Sequence, residues 1–504
     1  MKILSPAIST LARLRSWRIE AWMQHPVSAQ REVLQDLVTT AQYTEFGRKY
    51  DFAQLFNTKA FKQAVPIHEY DDLKPYVEKI MNGEQNILWN TPTHWFAKSS
   101  GTTSDKSKFI PVTRESLEDG HFKAAKDVLS LYYMHNPESD LLTGKGLVIG
   151  GSHTISSFHD EAHFGDLSAV LMQNTPFYGN WIRTPDLKIA LMDEWESKIE
   201  KLAETTMQEN VTSVSGVPTW TLVLFQRILE LTGKKNMKEV WPSFELYMHG
   251  GVSFHPYREQ FKKLIGADIQ YMEMYNASEG FFAAQDQLDQ EGMLLFLDHG
   301  IFYEFMPVEE YGKENPSTIG LKDVELNEHY APVISTNGGL WRYLIGDTIQ
   351  FTSLKPYRIK VSGRLKLFIN AFGEELIIDN AERAMAETCK ETGAIVSDYT
   401  AGPVYFSEQG NGAHEWLIEF EKEPNNISEF SQKLDTHLKQ LNSDYEAKRY
   451  KNIALREPIV KIMQHGQFNK WLKQKNKLGG QHKVPRLSND RIIIEEILSS
   501  TQNP

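Results

Sequence analysis

Phe244-Glu245-Leu246-Tyr247-Met248-His249-Gly250-Gly251 and, further along, Ile269-Gln270-Tyr271-Met272-Glu273-Met274 running into Tyr275-Asn276-Ala277-Ser278-Glu279-Gly280 are the stretches that decide the fold. Each opens as a short, mostly apolar run and ends on small or polar residues, the pattern of a buried strand meeting a turn. Between them, His255 to Ile265 carries helix-forming residues with Tyr257, Phe261, Leu264 and Ile265 on one apolar face. Upstream, Leu147 to Ile149 ending in Gly150-Gly151 has the same form. Strand, helix and strand in succession predict a mostly parallel sheet with helices on its faces.

Outward from this centre the texture changes twice. The first 90 residues read as helical, beginning with an amphipathic segment, Met1 to His25, whose Arg13, Arg15 and Arg18 interrupt any signal-peptide core. From about Gly292 short β-rich runs take over (Met293–Leu297, Phe302–Met306, Leu340–Tyr343, Ile349–Thr352, Arg358–Val361), which predicts a separate β subdomain. After Gly363-Arg364, helices at Asp379–Lys390 and Ile427–Leu441 alternate with strands at Glu415–Phe420 and Ile459–Met463. Ile427, Phe430, Leu434, Leu438 and Leu441 form one stripe of the second helix. The expected fold class is therefore α/β: a large N-terminal α/β domain over residues 1–364, with its β subdomain from about 292, and a smaller α+β domain over 365–504.

With 504 residues the chain has room for about three units at roughly 150 residues each. Hydrophobic residues at 41% and charged residues at 24% are ordinary globular composition and exclude a disordered or collagen-like chain. No apolar run approaches the roughly 20 residues of a membrane span. A net charge of -12 opposes general nucleic-acid binding. The single Cys389 has no intramolecular partner, which points to a reducing, cytoplasmic setting.

Three motifs can carry chemistry. Lys98-Ser99-Ser100-Gly101-Thr102-Thr103-Ser104-Asp105-Lys106-Ser107-Lys108 concentrates hydroxyls and lysines that can wrap a polyphosphate; it lacks the Walker A pattern, and by itself it reads first as a polar surface loop. Tyr275 to Gly280, on a loop leaving a predicted strand, offers an aromatic ring, a hydroxyl and a carboxylate where ligands bind open α/β sheets. Asn276 in place of Gly excludes a nucleophile elbow around Ser278. In Tyr343-Leu344-Ile345-Gly346-Asp347 a carboxylate after a tight glycine can accept both hydroxyls of a ribose, or simply end a strand in solvent.

In order, these motifs resemble the signatures of the acyl-adenylate-forming superfamily, and specifically its auxin-responsive promoter (Gretchen Hagen) family of acyl acid amido synthetases. Thr44-Glu45-Phe46-Gly47, Val65-Pro66-Ile67 with Tyr70, Gly83-Glu84, Phe302-Tyr303-Glu304-Phe305-Met306-Pro307, Gly363-Arg364 and Gln481-His482-Lys483-Val484-Pro485-Arg486 extend the resemblance over nearly the whole chain. It implies ATP and Mg²⁺ as cofactors, with Ser99, Ser100, Thr102, Thr103 and Lys108 about the phosphates and Gly250 and Gly251 against adenine. It further implies that Tyr275 stacks on adenine, Ser278 contacts phosphate, Glu279 holds Mg²⁺, Asp347 binds ribose with support from Arg364, and Lys483 reaches ATP when a mobile C-terminal lid closes. Lys483, Lys108 and Glu279 are the implied catalytic groups.

The reaction so implied is adenylation of a carboxylic acid followed by acyl transfer to an amine, with an amino acid the expected acceptor. An acyl-CoA ligase sharing the first step, and a non-catalytic binding protein of the same fold, are the alternatives. Departures from the family pattern are Ser104, Asp105, Asn276 and Leu344. A rival metal site is offered by His153, His159 and His163 with Asp160 and Glu161, although this spacing lacks the Glu of the His-Glu-x-x-His pattern.

Overall fold

The computed structural model describes residues 5–502 apart from 56, 100–107, 151–154, 160, 177–178, 180, 193–194, 252–253, 255–256, 366–367, 370, 372–373, 375, 406–411, 443–444, 447–448, 450–454, 476–482 and 489. By its contacts the chain divides into two units, Met1–Val252 with Lys262–Lys360, and Ser253–Phe261 with Val361–Pro504. The division at Lys360/Val361 falls inside the strand Tyr357–Arg364.

The larger unit begins with helices Ser5–Gln24, Pro26–Ala41, Glu45–Lys49, Thr58–Ala64 and Tyr70–Met81. Thr44 starts the third of these by accepting the Gly47 N–H on its side chain, which satisfies an orphan donor of the first turn. Of these helices, Pro26–Ala41 packs against Ile301–Pro307 and His329–Thr336, two strands of a 12-stranded sheet. Its path runs Ile301–Pro307, His329–Thr336, Asp347–Leu354, Tyr357–Arg364, Met293–Leu295, Gly280–Ala284, Gln270–Ala277, Leu246–Gly250, Val211–Ser215, Lys145–Val148 and Arg183–Thr184, with Tyr343–Leu344 paired to His329–Thr336. From Arg183–Thr184 to Gln270–Ala277 all pairs are parallel. From Gln270–Ala277 through Gly280–Ala284 to Met293–Leu295 and on to Tyr357–Arg364 they are antiparallel.

The β-rich segment after Gly292 continues the main sheet by its edge. Met293–Leu295 pairs with Gly280–Ala284, so the antiparallel strands continue the parallel ones through shared backbone hydrogen bonds. A second sheet of four strands, in the order Lys108–Val112, Trp95–Ser99, Ala162–Gly165 and Ser156–His159, lies in the same unit.

The smaller unit is α+β. Ile395–Val404, Ala413–Lys422 and Ile459–Met463 form its three-stranded sheet. Along the central strand, Trp416, Ile418 and Phe420 join the buried residues of helices Ile378–Thr392 and Ile427–Leu441, while Leu417 joins Phe468, Trp471, Ile494 and Ile497 of helices Gln467–Gln474 and Ile492–Gln502. The period-2 alternation of a strand thus supplies two cores. Phe430, Leu434 and Leu438 of the predicted stripe are fully buried. No helix among the described residues is long and apolar enough to cross a membrane.

Candidate active site

Gly250, Tyr275, Ser278, Glu279 and Asp347 gather where the sheet changes from parallel to antiparallel. Tyr275 lies within the strand Gln270–Ala277 and not on a loop beyond it. Ala277 pairs with Gly280, so Ser278 and Glu279 are the two-residue turn of a β-hairpin, and the expected loop is corrected to that turn. Gly250 ends the adjacent parallel strand, opposite Met274. A Cβ there would stand 2.4 Å from the Met274 carbonyl oxygen, so the neighbouring strand already requires glycine at this position. Gly251 follows at the exposed strand end.

Asp347 opens its strand directly after Gly346, whose φ of +91° makes the turn that delivers it. Its carboxylate is buried, and Oδ2 accepts a 2.8 Å hydrogen bond from the Tyr275 hydroxyl. The Tyr275 ring packs 4.8 Å from Phe282. Its visible work is to hold Asp347; adenine stacking rests on the resemblance alone. Nearby, the Tyr343 hydroxyl is driven well above its ordinary value, first by burial and then by the carboxylate of Glu279, with Asp347 adding to the effect. Tyr343 and Ser278 are buried hydroxyls whose oxygens have no hydrogen-bond partner among the described residues.

The phosphate-loop motif is described only at its ends. Ser99 pairs in register with Lys108 across two antiparallel strands. Ser100, Thr102 and Thr103, together with Ser104 and Asp105, lie outside the described residues. Lys108 places Nζ 5.7 Å from the centre of the Tyr70 ring, and the Tyr70 hydroxyl accepts the Phe109 N–H at 2.8 Å. Sequence reasoning gave no role to Tyr70 or Tyr343, although both stand in the motifs that it quoted; what marks them is burial and position.

A phosphorylated nucleotide fits this set. Leaving a buried hydroxyl unbonded costs about 1–3 kcal/mol, and phosphate oxygens are acceptors for both orphan donors. Asp347 is an acceptor-only group suited to a diol, and Lys108 supplies positive charge. Glu279, partly exposed on the turn, offers the carboxylate oxygen that a Mg²⁺ shared with phosphates requires.

Comparison with known proteins matches the GH3 family N-terminal domain over residues 15–269, the GH3 family central domain over 294–364 and the GH3 family C-terminal domain over 379–492. The chain belongs to the GH3 family. Indole-3-acetic acid-amido synthetase GH3.3 of Arabidopsis thaliana is 22% identical, over 97% of this chain and 94% of that protein. Among solved structures, GH3.15 acyl acid amido synthetase superposes with a TM-score of 0.80 at 17% identity, covering 97% of this chain and 96% of its own. A 2-hydroxyisobutyryl-CoA ligase in complex with 2-HIB-AMP gives 0.60 at 12% identity, covering 94% and 92%. These likenesses establish an acyl-adenylate-forming fold.

In the smaller unit of this GH3 chain, Arg364 and Lys483 are both exposed. Among the departures from the family pattern, Leu344 is buried and gives its N–H to the His68 carbonyl, and Asn276 is exposed on its strand opposite Phe281. The rival metal motif is only partly described: 153 and 160 lie outside, and so does the side chain of His159. His163 meets the Ser157 hydroxyl through Nδ1 at 2.8 Å and packs 5.0 Å from Trp95, which accounts for it without a metal. Elsewhere Asp127, Asp298 and His299 bring ligand-type atoms together. Arg15 pairs with Asp127 and Lys123 with Asp298, so protein cations already neutralise both carboxylates of this cluster.

Proposed function

We propose that this GH3 protein is an ATP-dependent acyl acid amido synthetase. The observation that carries the reading is the pair of unpartnered buried hydroxyls, Ser278 and Tyr343, beside Glu279 and the Tyr275-held Asp347, in a chain of this family. The names of its relatives, indole-3-acetic acid-amido synthetase and acyl acid amido synthetase, support the same reaction class.

In the first half-reaction the carboxylate oxygen of an acyl acid attacks the α-phosphorus of ATP, giving acyl-adenylate and pyrophosphate. In the second, an amine attacks the acyl carbon and AMP leaves. Asp347 fixes the ribose by accepting its hydroxyls, and Tyr275 fixes Asp347. Ser278 donates to phosphate, joined by Ser99, Ser100, Thr102 and Thr103, and Lys108 offsets phosphate charge. Gly250 and Gly251 border adenine, and Arg364 supports the ribose. Glu279 would hold Mg²⁺, whose charge lowers the repulsion between triphosphate and incoming carboxylate. Lys483 neutralises charge that develops during adenylation, and the smaller unit moves between the two half-reactions. Catalysis is thus positioning and charge neutralisation, because the adenylate is itself activated.

The test is ATP–pyrophosphate exchange with indole-3-acetic acid, 2,4-DB, benzoic acid and fatty acids of increasing length, followed by mass analysis after adding each amino acid. Acid-dependent exchange and an amide product are expected. No exchange with any acid, in protein that binds ATP, would return the non-catalytic reading.

A further inference from the structure

Lys483 is the residue of Gln481–Arg486 to which a chemical role falls, yet Arg486 is the one the smaller unit grips. Its guanidinium is about nine-tenths buried. Nη2 donates to the Tyr257 hydroxyl at 2.8 Å, Nη1 to the Tyr399 carbonyl at 3.0 Å and to the Asp398 carboxylate, and Nε to Glu382 Oε1 at 3.2 Å. The same group lies 4.6 Å over the Tyr399 ring. Tyr257 passes its own proton toward the Ser397 carbonyl at 3.5 Å. All of these partners belong to the smaller unit.

The backbone is held as firmly. Thr400 Oγ1 donates to the Pro485 carbonyl at 2.6 Å, the Ala401 N–H to the Arg486 carbonyl at 2.9 Å, and the Ser488 N–H to the Ala401 carbonyl at 2.9 Å. Leu487 bridges Ala401 in parallel, and Val484 and Leu487 are buried. Lys483 itself is exposed. Only Val484 and Pro485 separate it from Arg486, a contour of about 10 Å over three Cα steps, so fixing Arg486 restricts the volume open to the Lys483 backbone.

We propose that Arg486 is the positioning residue for Lys483, anchoring its loop to Ile395–Val404, to helix Ile378–Thr392 and to Tyr257. This rests on the adenylation role proposed for Lys483. Lysine at 486 keeps the charge but cannot form a planar fork to two carboxylates and a carbonyl while stacking on Tyr399, so charge alone does not restore the anchor.

The test is a double-mutant cycle on the full chain, with thermal melting as the check on folding. Arg486→Lys is expected to slow single-turnover pyrophosphate release at least tenfold with the best acid of the panel above, while the ATP dissociation constant stays within threefold. Lys483→Ala combined with Arg486→Lys is expected to be as slow as Lys483→Ala alone, because both remove one function. Tyr257→Phe, which removes one of the several partners of Arg486, gives a partial loss. Independently of any substrate, a spin label at Lys483→Cys in a Cys389→Ala background is expected to pass from a restricted to a mobile line shape on Arg486→Lys.

Losses that multiply in the double variant, a wild-type rate in Arg486→Lys, or an unchanged label would each overturn the proposal. A wild-type rate in Lys483→Ala would do so too, without touching the amide product that reads the overall reaction. Absence of exchange with every acid would instead sink the amido synthetase reading, and the label would still decide the anchor.

Discussion

Asp347 owes the position of its carboxylate to Tyr275, so the two residues separate binding from orientation. Asp347→Ala is expected to weaken ATP strongly, since two hydrogen bonds to a charged acceptor at about 1.5–3 kcal/mol each are lost. Tyr275→Phe keeps the carboxylate and loses its anchor, so a weakening of about 1 kcal/mol is expected, and calorimetric titration with ATP reads both. Lys483→Ala should leave ATP binding nearly unchanged and slow adenylation, the pattern of a group that acts on the transition state. A further test concerns stability: burial pushes His121 from the ordinary 6.5 down to about 4, so it stays neutral in the fold. The unfolded chain takes up this proton below 6.5, so stability present above that pH is lost as pH falls toward 4. The expected total is about 3 kcal/mol, and the difference in urea-unfolding free energy between wild type and His121→Leu should change by this amount between pH 7 and pH 4.

At the scale of elements, the segment Val65–Tyr70 explains why a motif stands so far from the site in sequence. The His68 N–H donates to the Arg342 carbonyl and the Leu344 N–H to the His68 carbonyl, both at 2.9 Å, so this segment runs along Tyr343–Leu344 as an added edge. Arg342 locks the arrangement. Its Nε and Nη2 each meet a Glu304 oxygen at 2.9 Å, and Nη1 donates to the Val65 carbonyl at 2.6 Å, all within the core. Arg342 adopts a positive φ of +42°, a conformation held by these surroundings. Removing one partner strands a buried charge, so Glu304→Ala is expected to cost about 3–5 kcal/mol in chemical denaturation. Glu304 lies in a quoted motif and Arg342 in the β-rich run Leu340–Tyr343, but nothing local shows that they pair across the sheet.

For the molecule as a whole, amide and thioester synthesis share the adenylation step, so ATP consumption cannot separate them. Protein preloaded with acid and ATP is expected to yield an amide on addition of an amino acid and no thioester with CoA, as identified by mass. Because a protonated amine has no lone pair, the second-step rate should rise with pH through the mildly alkaline range. Thioester formation with CoA and no amide would transfer the assignment to the ligase.

Local pattern was enough to locate most elements. The i, i+4, i+8 stripe Phe430, Leu434 and Leu438 marks a helix wherever it packs, and short apolar runs ending on glycine mark buried strands. The ordered motifs also identified the family, because side-chain chemistry at fixed spacing is written directly in the chain. What the sequence left open depends on partners distant along it. Tyr275 and Asp347 are 72 residues apart, on strands that are not neighbours in the sheet, and meet only in the folded chain. The β-rich stretch after Gly292 joins the main sheet and not one of its own, since backbone donors and acceptors pair with whichever edge the fold presents, and a strand carries no local mark of its neighbour. Arg486 likewise looks like one more charge in a motif until Glu382, Asp398 and Tyr257 close around it. Tertiary structure decides such contacts because burial and hydrogen bonding act through space, whereas periodicity and motif spacing act along the chain.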